Sequence, residues 1–232
     1  MMGCIMRTRV IISGTSSGIG KAVAELFAFV RDDRSNLMYD VFGIDKNPVD
    51  SDFLIHAPNY QHYIADVRGT LPDIEFPEIV IANAGTQDDD DSIDVNLVGL
   101  INFCEAYADQ PCIQAVCTVA SASAHSGAEF PRYTASKGGV VAYTKNLALR
   151  VAKYGAVCNS ISPGGVYTPI NEHIVQDKNK LDAVLNEAIL HRWASAEEIA
   201  QWIYFITAVN KSATAQDFLV DNGEMAKSNF IW

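Results

Sequence analysis

The stretch Gly14-Thr15-Ser16-Ser17-Gly18-Ile19-Gly20 decides the fold, because it joins a predicted strand to a predicted helix. The strand is Arg9–Ser13, and apolar residues recur at helical spacing behind the turn at Ile19, Val23, Leu26 and Val30. Gly14 permits a tight turn, and the glycines at 18 and 20 let a phosphate approach the backbone. The helix N-terminus adds free N–H groups and the positive end of the helix dipole. The turn therefore predicts a pyrophosphate-binding site.

Composition and charge restrict the class of protein. Of the 232 residues, 49% are hydrophobic and 19% are charged, which is typical of a globular chain with one large core. The net charge of -11 argues against nucleic acid, whose binding proteins carry a basic face. No stretch approaches about 20 apolar residues, and residues 1–9 lack the apolar core of a signal peptide. We therefore expect no membrane association and a cytoplasmic location.

Five cysteines are present, without a CxxC pair, and we expect reduced thiols. They are Cys4, Cys104, Cys112, Cys117 and Cys158. No metal site is expected, because His125, His173 and His191 do not cluster with acids at ligand spacing.

Predicted strands and helices alternate along the whole chain. Further strands are expected at Tyr39–Asp45, His62–Asp66, Glu78–Ala82, Ala115–Ala120, Ala156–Ser162 and Phe218–Val220. Further helices are expected at Asn96–Tyr107, Tyr133–Ala152 and Ser195–Ala208. The strands are nearly continuous Val and Ile runs, which suits a parallel sheet covered on both faces. The sequence therefore predicts one α/β domain over residues 1–232, a Rossmann-type doubly wound parallel sheet with helices on both faces.

The residue that ends the second strand bears on the choice of dinucleotide. A carboxylate at Asp45 can accept hydrogen bonds from both adenosine ribose hydroxyls and would repel a 2′-phosphate. Position 17 is Ser, so the turn carries no basic side chain for that phosphate, although Lys21 and Lys46 are near in sequence. We expect NAD as the cofactor, with NADP as the less favoured alternative.

The glycine spacing GxxxGxG, with Asn83-Ala84-Gly85 and Tyr133-x-x-x-Lys137, resembles the short-chain dehydrogenase/reductase family over nearly the whole chain. The resemblance implies a catalytic set of Asn96, Ser121, Tyr133 and Lys137. With the turn and Asp45, it implies that the cofactor contacts Gly14, Ser16, Ser17, Gly18, Ile19, Gly20, Asp45, Asp66, Val67, Asn83, Ala84, Gly85, Tyr133, Lys137, Pro163, Gly164, Val166 and Thr168. It also implies that Lys137 holds the nicotinamide ribose and that Asn96 fixes a water of a proton relay.

The spacing of Tyr133 and Lys137 has a chemical use. Residues four apart share one face of a helix, so the ammonium lies beside the phenol. A free tyrosine has a pKa of about 10, and a neighbouring cation favours its phenolate. Ser121 ends a strand, where its hydroxyl can polarise a substrate oxygen, and Ser123 is a rival for that role. Asn96 has the alternative role of a plain helix N-cap.

The segment between Asn83 and Asn96 is much shorter than is usual in the family. The helix normally found there is expected to be cut to a loop that contains Asp88–Asp91, and we interpret these four carboxylates as a solvated run. Ser121 also lies one residue closer to Tyr133 than is common.

Residues 169–194 are irregular, and in the family this region is a mobile lid over the substrate. Candidate pocket residues are Ala122, Ser123, Phe130, Pro169, Ile170, His173 and Ile174. The short lid favours a small to medium alcohol or ketone. An apolar surface on the long helix (Val140, Val141, Leu147, Val151) predicts a homodimer or homotetramer, and the tail Phe230–Trp232 is expected to dock on the body or on a partner.

Two other functions stay open at this point. The first is a catalytically silent dinucleotide-binding regulator or scaffold of the same fold. The shortened 86–95 segment is the feature that favours this alternative. The second is an isomerase or dehydratase that uses the cofactor transiently. Intact Ser121, Tyr133 and Lys137 favour the oxidoreductase.

Overall fold

The computed structural model describes residues 7–128 and 130–226. The strands there are β1 (Thr8–Ser13), β2 (Tyr39–Asp45), β3 (Tyr60–Ile64), β4 (Ile79–Ala82), β5 (Ala115–Val119), β6 (Val157–Pro163), β7 (Val166–Tyr167), β8 (Ala194–Ser195) and β9 (Asp217–Val220). The α-helices are α1 (Gly18–Phe29), α2 (Ser51–His56), α3 (Asp89–Ser92), α4 (Leu100–Tyr107), α5 (Ser123–Ser126), α6 (Pro131–Val151), α7 (Glu172–Val175), α8 (Lys178–Glu187) and α9 (Ala196–Tyr204). The predicted docking of the C-terminal tail lies outside the described residues.

Seven strands form one parallel sheet in the order β3-β2-β1-β4-β5-β6-β9. Strand β1 pairs with β2 on one side and with β4 on the other, so that Val10 lies opposite both Val41 and Ile79. Every position of β4, β5 and β6 is buried. Strands that are buried over their whole length suit a sheet covered on both faces, and the predicted Rossmann-type architecture is confirmed. Strands β7 and β8 pair separately.

Successive residues of the sheet pack into two different cores. Val10 and Ile12 face α1 and α9, whereas Ile11 between them faces α4 and α6. Val140, Leu147 and Val151 belong to this second core and are fully buried. Val141 is partly buried against the same core, so the apolar surface from which we expected an oligomer faces the interior and that prediction of a subunit contact is wrong. On α6, Leu149 is the strongly exposed apolar side chain, at 78%.

The segment after β4 differs from the sequence prediction. A continuous helix begins at Asp89, passes through π-helical turns at Ile93–Gly99 and continues as α4 to Tyr107. The expected loop is thus partly helical, because Asp88 caps its start by accepting from the N–H of Asp90. Asn96 lies inside this helix, so its interpretation as an N-cap is wrong.

The other elements agree with the predictions within a few residues. Strand β3 begins two residues before the predicted start and ends two before the predicted end, and a short helix α2, where no element was predicted, lies between β2 and β3. Ser195 caps α9 through a capping box with Glu198. The described cysteines are free, and burial raises the pKa of the Cys117 and Cys158 thiols well above the usual value. Over the described residues, every helix is too short or too polar to cross a membrane.

Candidate active site

A cleft of about 590 Å³ opens at the carboxyl ends of the parallel strands. Its lining includes most of the residues predicted to bind a cofactor: Gly14, Ser17, Gly18, Ile19, Asp45, Asp66, Val67, Asn83, Ala84, Gly85, Tyr133, Lys137, Pro163, Gly164, Val166 and Thr168. Ser121 also lines it. Ser16, Gly20 and Asn96 do not, and each of them supports a residue that does. This is the sheet edge at which doubly wound folds place their ligands.

The glycine turn packs directly on the end of β4. Gly14 has a φ of 79°, and a Cβ there would lie 2.7 Å from the side-chain nitrogen of Asn83. A Cβ on Gly20 would lie 2.0 Å from the Gly14 carbonyl oxygen, so α1 starts close against the turn. Asn83 Nδ2 donates to the Ser13 and Gly14 carbonyls, each at 3.2 Å. The turn is therefore packed so closely against the end of β4 and the start of α1 that a larger side chain at Gly14 or Gly20 would displace it.

Asp45 is tied to the same turn. Its carboxylate accepts from Ser16 N–H at 3.0 Å and from Asn47 N–H at 2.9 Å, and Ser16 Oγ donates to the Asn47 carbonyl at 2.7 Å. Ser16 thus contributes by holding Asp45. Each carboxylate oxygen has a second lone pair, so the group keeps acceptor capacity toward the cleft.

A buried tyrosine that was not predicted from the sequence, Tyr60, supports the glycine turn by a hydrogen bond. Tyr60 donates its hydroxyl to Thr15 Oγ1 at 3.0 Å and lies 2.9 Å from His62 Nδ1. Burial raises the pKa of Tyr60 to about 12. Gly43 makes room for this ring, since a Cβ there would lie 2.0 Å from the hydroxyl. Only the pairing of β2 with β3 brings these residues together, and the sequence carried no signal of it.

Asp66 and Val67 lie at the same end of the cleft, and Asp66 is paired there. Arg68 donates to both oxygens of Asp66, the shortest contact being 2.7 Å, and this ion pair lowers the pKa of Asp66. Arg68 also lies 3.6 Å from Asp91 of the acidic run. This three-residue charge cluster was not predicted, because Asp91 is distant from Asp66 and Arg68 along the chain.

Tyr133 and Lys137 lie together on the inner face of α6. Tyr133 is 8% exposed and Lys137 is 5% exposed. The ammonium nitrogen of Lys137 is 5.8 Å from the centre of the Tyr133 phenol ring. Lys137 Nζ donates to the Val119 carbonyl at 2.9 Å. The last residue of β5 thus fixes the cation beside the tyrosine, as a buried charge requires.

Both candidate serines lie in the cleft and contact each other. Ser121 Oγ accepts from the Ser123 hydroxyl at 2.9 Å and from the Ser123 N–H at 3.2 Å. With both lone pairs engaged, the Ser121 hydroxyl proton is directed elsewhere. The two serines therefore differ in their hydrogen bonding, since Ser123 donates and Ser121 accepts.

Asn96 is fully buried and joins three segments. Its Oδ1 accepts from Thr86 N–H at 2.7 Å, and its Nδ2 donates to the Thr86 carbonyl at 2.9 Å and to Ser136 Oγ at 3.2 Å. A Cβ on Gly85 would lie 3.1 Å from Asn96 Oδ1 and 3.5 Å from Lys137 Nζ. Gly85 thus leaves space beside both groups. The π-helical turns place Asn96 here, a distortion that recurs at functional sites.

The other end of the cleft is covered by residues 169–194. All the pocket residues expected from the sequence line it: Ala122, Ser123, Phe130, Pro169, Ile170, His173 and Ile174. Further lining residues were missed, namely Gln87, Asn171, Val184, Glu187, Trp193 and Glu224. Gln87 Nε2 donates to Asn171 Oδ1 at 3.2 Å. Burial raises the pKa of the Glu224 carboxyl, and the Glu187 and Asp221 charges add to that rise.

The donor set offers no metal centre in the part of the chain that the structure describes, where His, Cys, Asp and Glu form no group of three or more suited to an ion. The glycine turn in the cleft wall, the acceptor at Asp45 and the buried Tyr133–Lys137 pair instead fit a bound dinucleotide.

Comparison with known proteins agrees with this geometry. A family profile described as enoyl-(acyl carrier protein) reductase matches residues 77–224. Glucose 1-dehydrogenase of Gluconobacter oxydans is 26% identical over 244 aligned positions, which cover 93% of this chain and 91% of that protein.

Two solved structures extend the comparison to three dimensions. A putative 2-deoxy-D-gluconate 3-dehydrogenase from Agrobacterium tumefaciens with bound NADP superimposes with a TM-score of 0.82 at 25% identity, covering 96% of this chain and 98% of that one. A 4-hydroxyisoleucine dehydrogenase mutant complexed with NADH and succinate gives 0.82 at 25% identity, covering 96% and 100%. The profile match and these relatives show that the chain belongs to the short-chain dehydrogenase/reductase family of NAD(P)-dependent oxidoreductases.

Proposed function

We propose that the protein transfers a hydride between NAD(H) and a small to medium alcohol or ketone, with Tyr133 as general acid and base. The observation that carries this proposal is the Tyr133–Lys137 pair, buried in the wall of the cleft that the glycine turn opens. A bound nicotinamide would accept or supply the hydride. The chain's own task is to orient the substrate and to hold or move one proton.

The proton that is exchanged with the substrate oxygen is carried by the Tyr133 hydroxyl. When an alcohol is oxidised, the phenolate takes the hydroxyl proton, and when a ketone is reduced, the phenol returns it. Lys137 favours the phenolate by its charge, and Val119 holds that charge in place through the 2.9 Å hydrogen bond. General acid–base catalysis of this kind contributes about 10²- to 10⁴-fold.

Ser121 is the residue that orients the reacting oxygen. Since its oxygen accepts two hydrogen bonds from Ser123, its own proton can be donated to the substrate. Ser123 then positions Ser121 and does not donate to the substrate itself. Ser121→Ala should cost more of kcat than Ser123→Ala, and the reverse order would contradict this assignment. Asn96 has a supporting role, through Thr86 and Ser136.

The preference for NAD rests on Asp45, whose carboxylate lies at the end of β2 and retains acceptor capacity. A negative charge there favours ribose hydroxyls and repels a 2′-phosphate. Lys46 also lines the cleft and is the group that opposes this preference. A higher kcat/KM with NADP(H) than with NAD(H) would contradict the proposal.

Residues 169–194 limit the space for the substrate, and we infer that they form a lid over it. Glu187 and Glu224 line this end, and Lys137 is the one Lys or Arg among the described lining residues there. This charge favours neutral or cationic alcohols over carboxylates. Pairs of neutral alcohols and acids with the same carbon skeleton test the inference, and a higher kcat/KM for the acids would overturn it.

Assembly and location remain proposals. We propose a homo-oligomer in the cytoplasm, with the exposed Leu149 on α6 and Val98 in the π-helical turns as candidate contacts. Sedimentation of the purified protein tests the assembly, and a monomer at micromolar concentration would contradict it. Fractionation of the source cells tests the location, and recovery outside the cytoplasm would contradict it.

The deciding experiment is a screen of alcohols and ketones with NAD(H) and NADP(H), followed by the absorbance of the reduced nicotinamide. The wild type and Tyr133→Phe are compared, with Tyr143→Phe as a control on the same helix, because Tyr143 contacts Glu105 and lies outside the cleft lining. We expect turnover by the wild type and by Tyr143→Phe, and a loss of about 10²-fold or more in Tyr133→Phe. Retained activity in Tyr133→Phe would remove Tyr133 from its role. Tight NADH binding without turnover would favour a silent regulator.

A further inference from the structure

The first turn of α6 is capped by a residue from another segment. Phe130 occupies the N-cap position and has no polar side chain for the unpaired N–H groups. Asp89 takes that place, because its Oδ1 accepts from Arg132 N–H at 2.9 Å and from Tyr133 N–H at 3.0 Å. A carboxylate at a helix N-terminus satisfies these groups and the helix dipole together.

The other carboxylates of the Asp88–Asp91 run have different partners. Asp88 caps α3, and Asp91 faces Arg68 in the cleft. Asp90 has a 96% exposed side chain, 3.4 Å from the Arg132 guanidinium. Of the four, Asp89 is the one that contacts the backbone of Tyr133.

The carbonyl of Tyr133 is linked through Ser136 to Asn96, which lies on the same helix as Asp89. Ser136 Oγ donates to this carbonyl at 2.6 Å and accepts from Asn96 Nδ2 at 3.2 Å. Asn96 follows Asp89 by seven residues along one continuous helix. The segment 89–96 therefore reaches Tyr133 at its N–H directly and at its carbonyl through Ser136.

We propose that Asp89 is a positioning residue for Tyr133, and that the shortened segment after β4 supplies this contact. The proposal rests on the proposed function, in which Tyr133 transfers the proton. Helix ends fray, and Tyr133 is the third residue of its helix. Proton transfer needs heavy atoms within about 2.6–3.2 Å, and a displacement near 1 Å costs up to about 10²-fold. By accepting hydrogen bonds from the N–H groups of Arg132 and Tyr133, Asp89 limits fraying of the first turn of α6.

The test compares Asp89→Ala, Asp89→Asn and Asp90→Ala in the full-length protein. The amide oxygen of Asn can accept the same two hydrogen bonds, whereas Ala cannot. Asp90→Ala is the matched control, since it removes a neighbouring carboxylate that contacts only Arg132 among the described residues. The readouts are kcat, the KM values for substrate and NAD(H), and hydrogen–deuterium exchange of peptides covering residues 130–136.

For Asp89→Ala we expect kcat to fall by about 10-fold to 10²-fold, KM for the cofactor to stay within about twofold, and exchange at the start of α6 to rise. Asp89→Asn should restore most of kcat and of the protection, and Asp90→Ala should match the wild type. Unchanged kcat in Asp89→Ala, or equal losses in Asp89→Ala and Asp90→Ala, would overturn the proposal. A proportional loss in kcat and in cofactor binding would also overturn it, because Asp89 would then support the cofactor site and not Tyr133 in particular.

The two proposals fail in different ways. A wild type without turnover contradicts the proposed function, whereas exchange at residues 130–136 reports on the Asp89 contact without any turnover. An active wild type whose Asp89→Ala variant gains exchange but keeps kcat contradicts positioning alone.

Discussion

The two ends of the cleft are built in different ways. At the glycine-turn end, residues 14–20 are joined to β2, β3 and β4 through Asp45, Tyr60 and Asn83. At the end covered by the proposed lid, residues 169–194, helices α7 and α8 contain no buried residue, and a Gln87–Asn171 hydrogen bond crosses the cleft. A rigid end suits a ligand of constant shape, and a lightly held end suits a covering that opens.

The largest expected effect is at the glycine-turn end. Gly20→Ala places a Cβ 2.0 Å from the Gly14 carbonyl oxygen and 2.4 Å from Asn83 Nδ2, both held by hydrogen bonds. Because neither atom can withdraw, α1 must shift. We expect destabilisation of about 1–3 kcal/mol and loss of measurable NADH binding. Thermal unfolding and NADH titration measure the two effects.

Gly138→Ala is the matched control, since a Cβ at this helical position meets nothing within 4 Å. Alanine there should be neutral or stabilise the protein by up to about 1 kcal/mol. If Gly20→Ala bound NADH as well as Gly138→Ala does, the glycine-turn end would be less rigid than the comparison states.

An intermediate effect is expected at Asp45. Asp45→Ala removes the charge that disfavours a 2′-phosphate and the acceptor for two N–H groups. The ratio of kcat/KM for NAD over NADP should fall about tenfold, which corresponds to about 1.4 kcal/mol. Asp40→Ala, on the same strand and paired with Arg7, is the control. An unchanged ratio in Asp45→Ala would remove Asp45 from cofactor selection.

The smallest effect is expected at the lid end, from Glu224→Gln. Burial raises the pKa of this carboxyl in the folded protein above 4.5, so the native state binds the proton more tightly than the unfolded chain. The folded state therefore loses stability as the pH rises from the unfolded value through the raised one. Glu224→Gln removes that loss, so its Tm should exceed the wild-type Tm more at about pH 7 than at about pH 4. The opposite pH trend would show that ionised Glu224 stabilises the lid end.

The features that the sequence located best are those that depend on local geometry. The glycine turn and the four-residue spacing of Tyr133 and Lys137 each lie within one turn or one helix. Asn96 shows the limit of this reasoning. Its place in the catalytic set was expected from the family resemblance, but its position within π-helical turns was not, because that distortion leaves no periodic signal.

Charged residues show the same limit. The run Asp88–Asp91 predicted a solvated loop, since four adjacent carboxylates do not converge without a fold to bend them. The fold distributes them among α3, α6 and Arg68, over separations of 23 to 44 residues for the contacts to Arg68 and Tyr133. Such pairings depend on tertiary packing, so they cannot be predicted from a local sequence pattern.

By itself the sequence determined the alternation of strands and helices, the glycine turn and the placement of Tyr133 and Lys137 on one helix face, because each depends on spacing along one element. The tertiary structure alone decided which side chains meet across elements. It placed the Ser123 hydroxyl on Ser121, Tyr60 under the glycine turn and the Asp89 carboxylate on Tyr133. Hydrogen bonds form between atoms about 3 Å apart, and only the folded sheet brings residues distant in sequence to that distance.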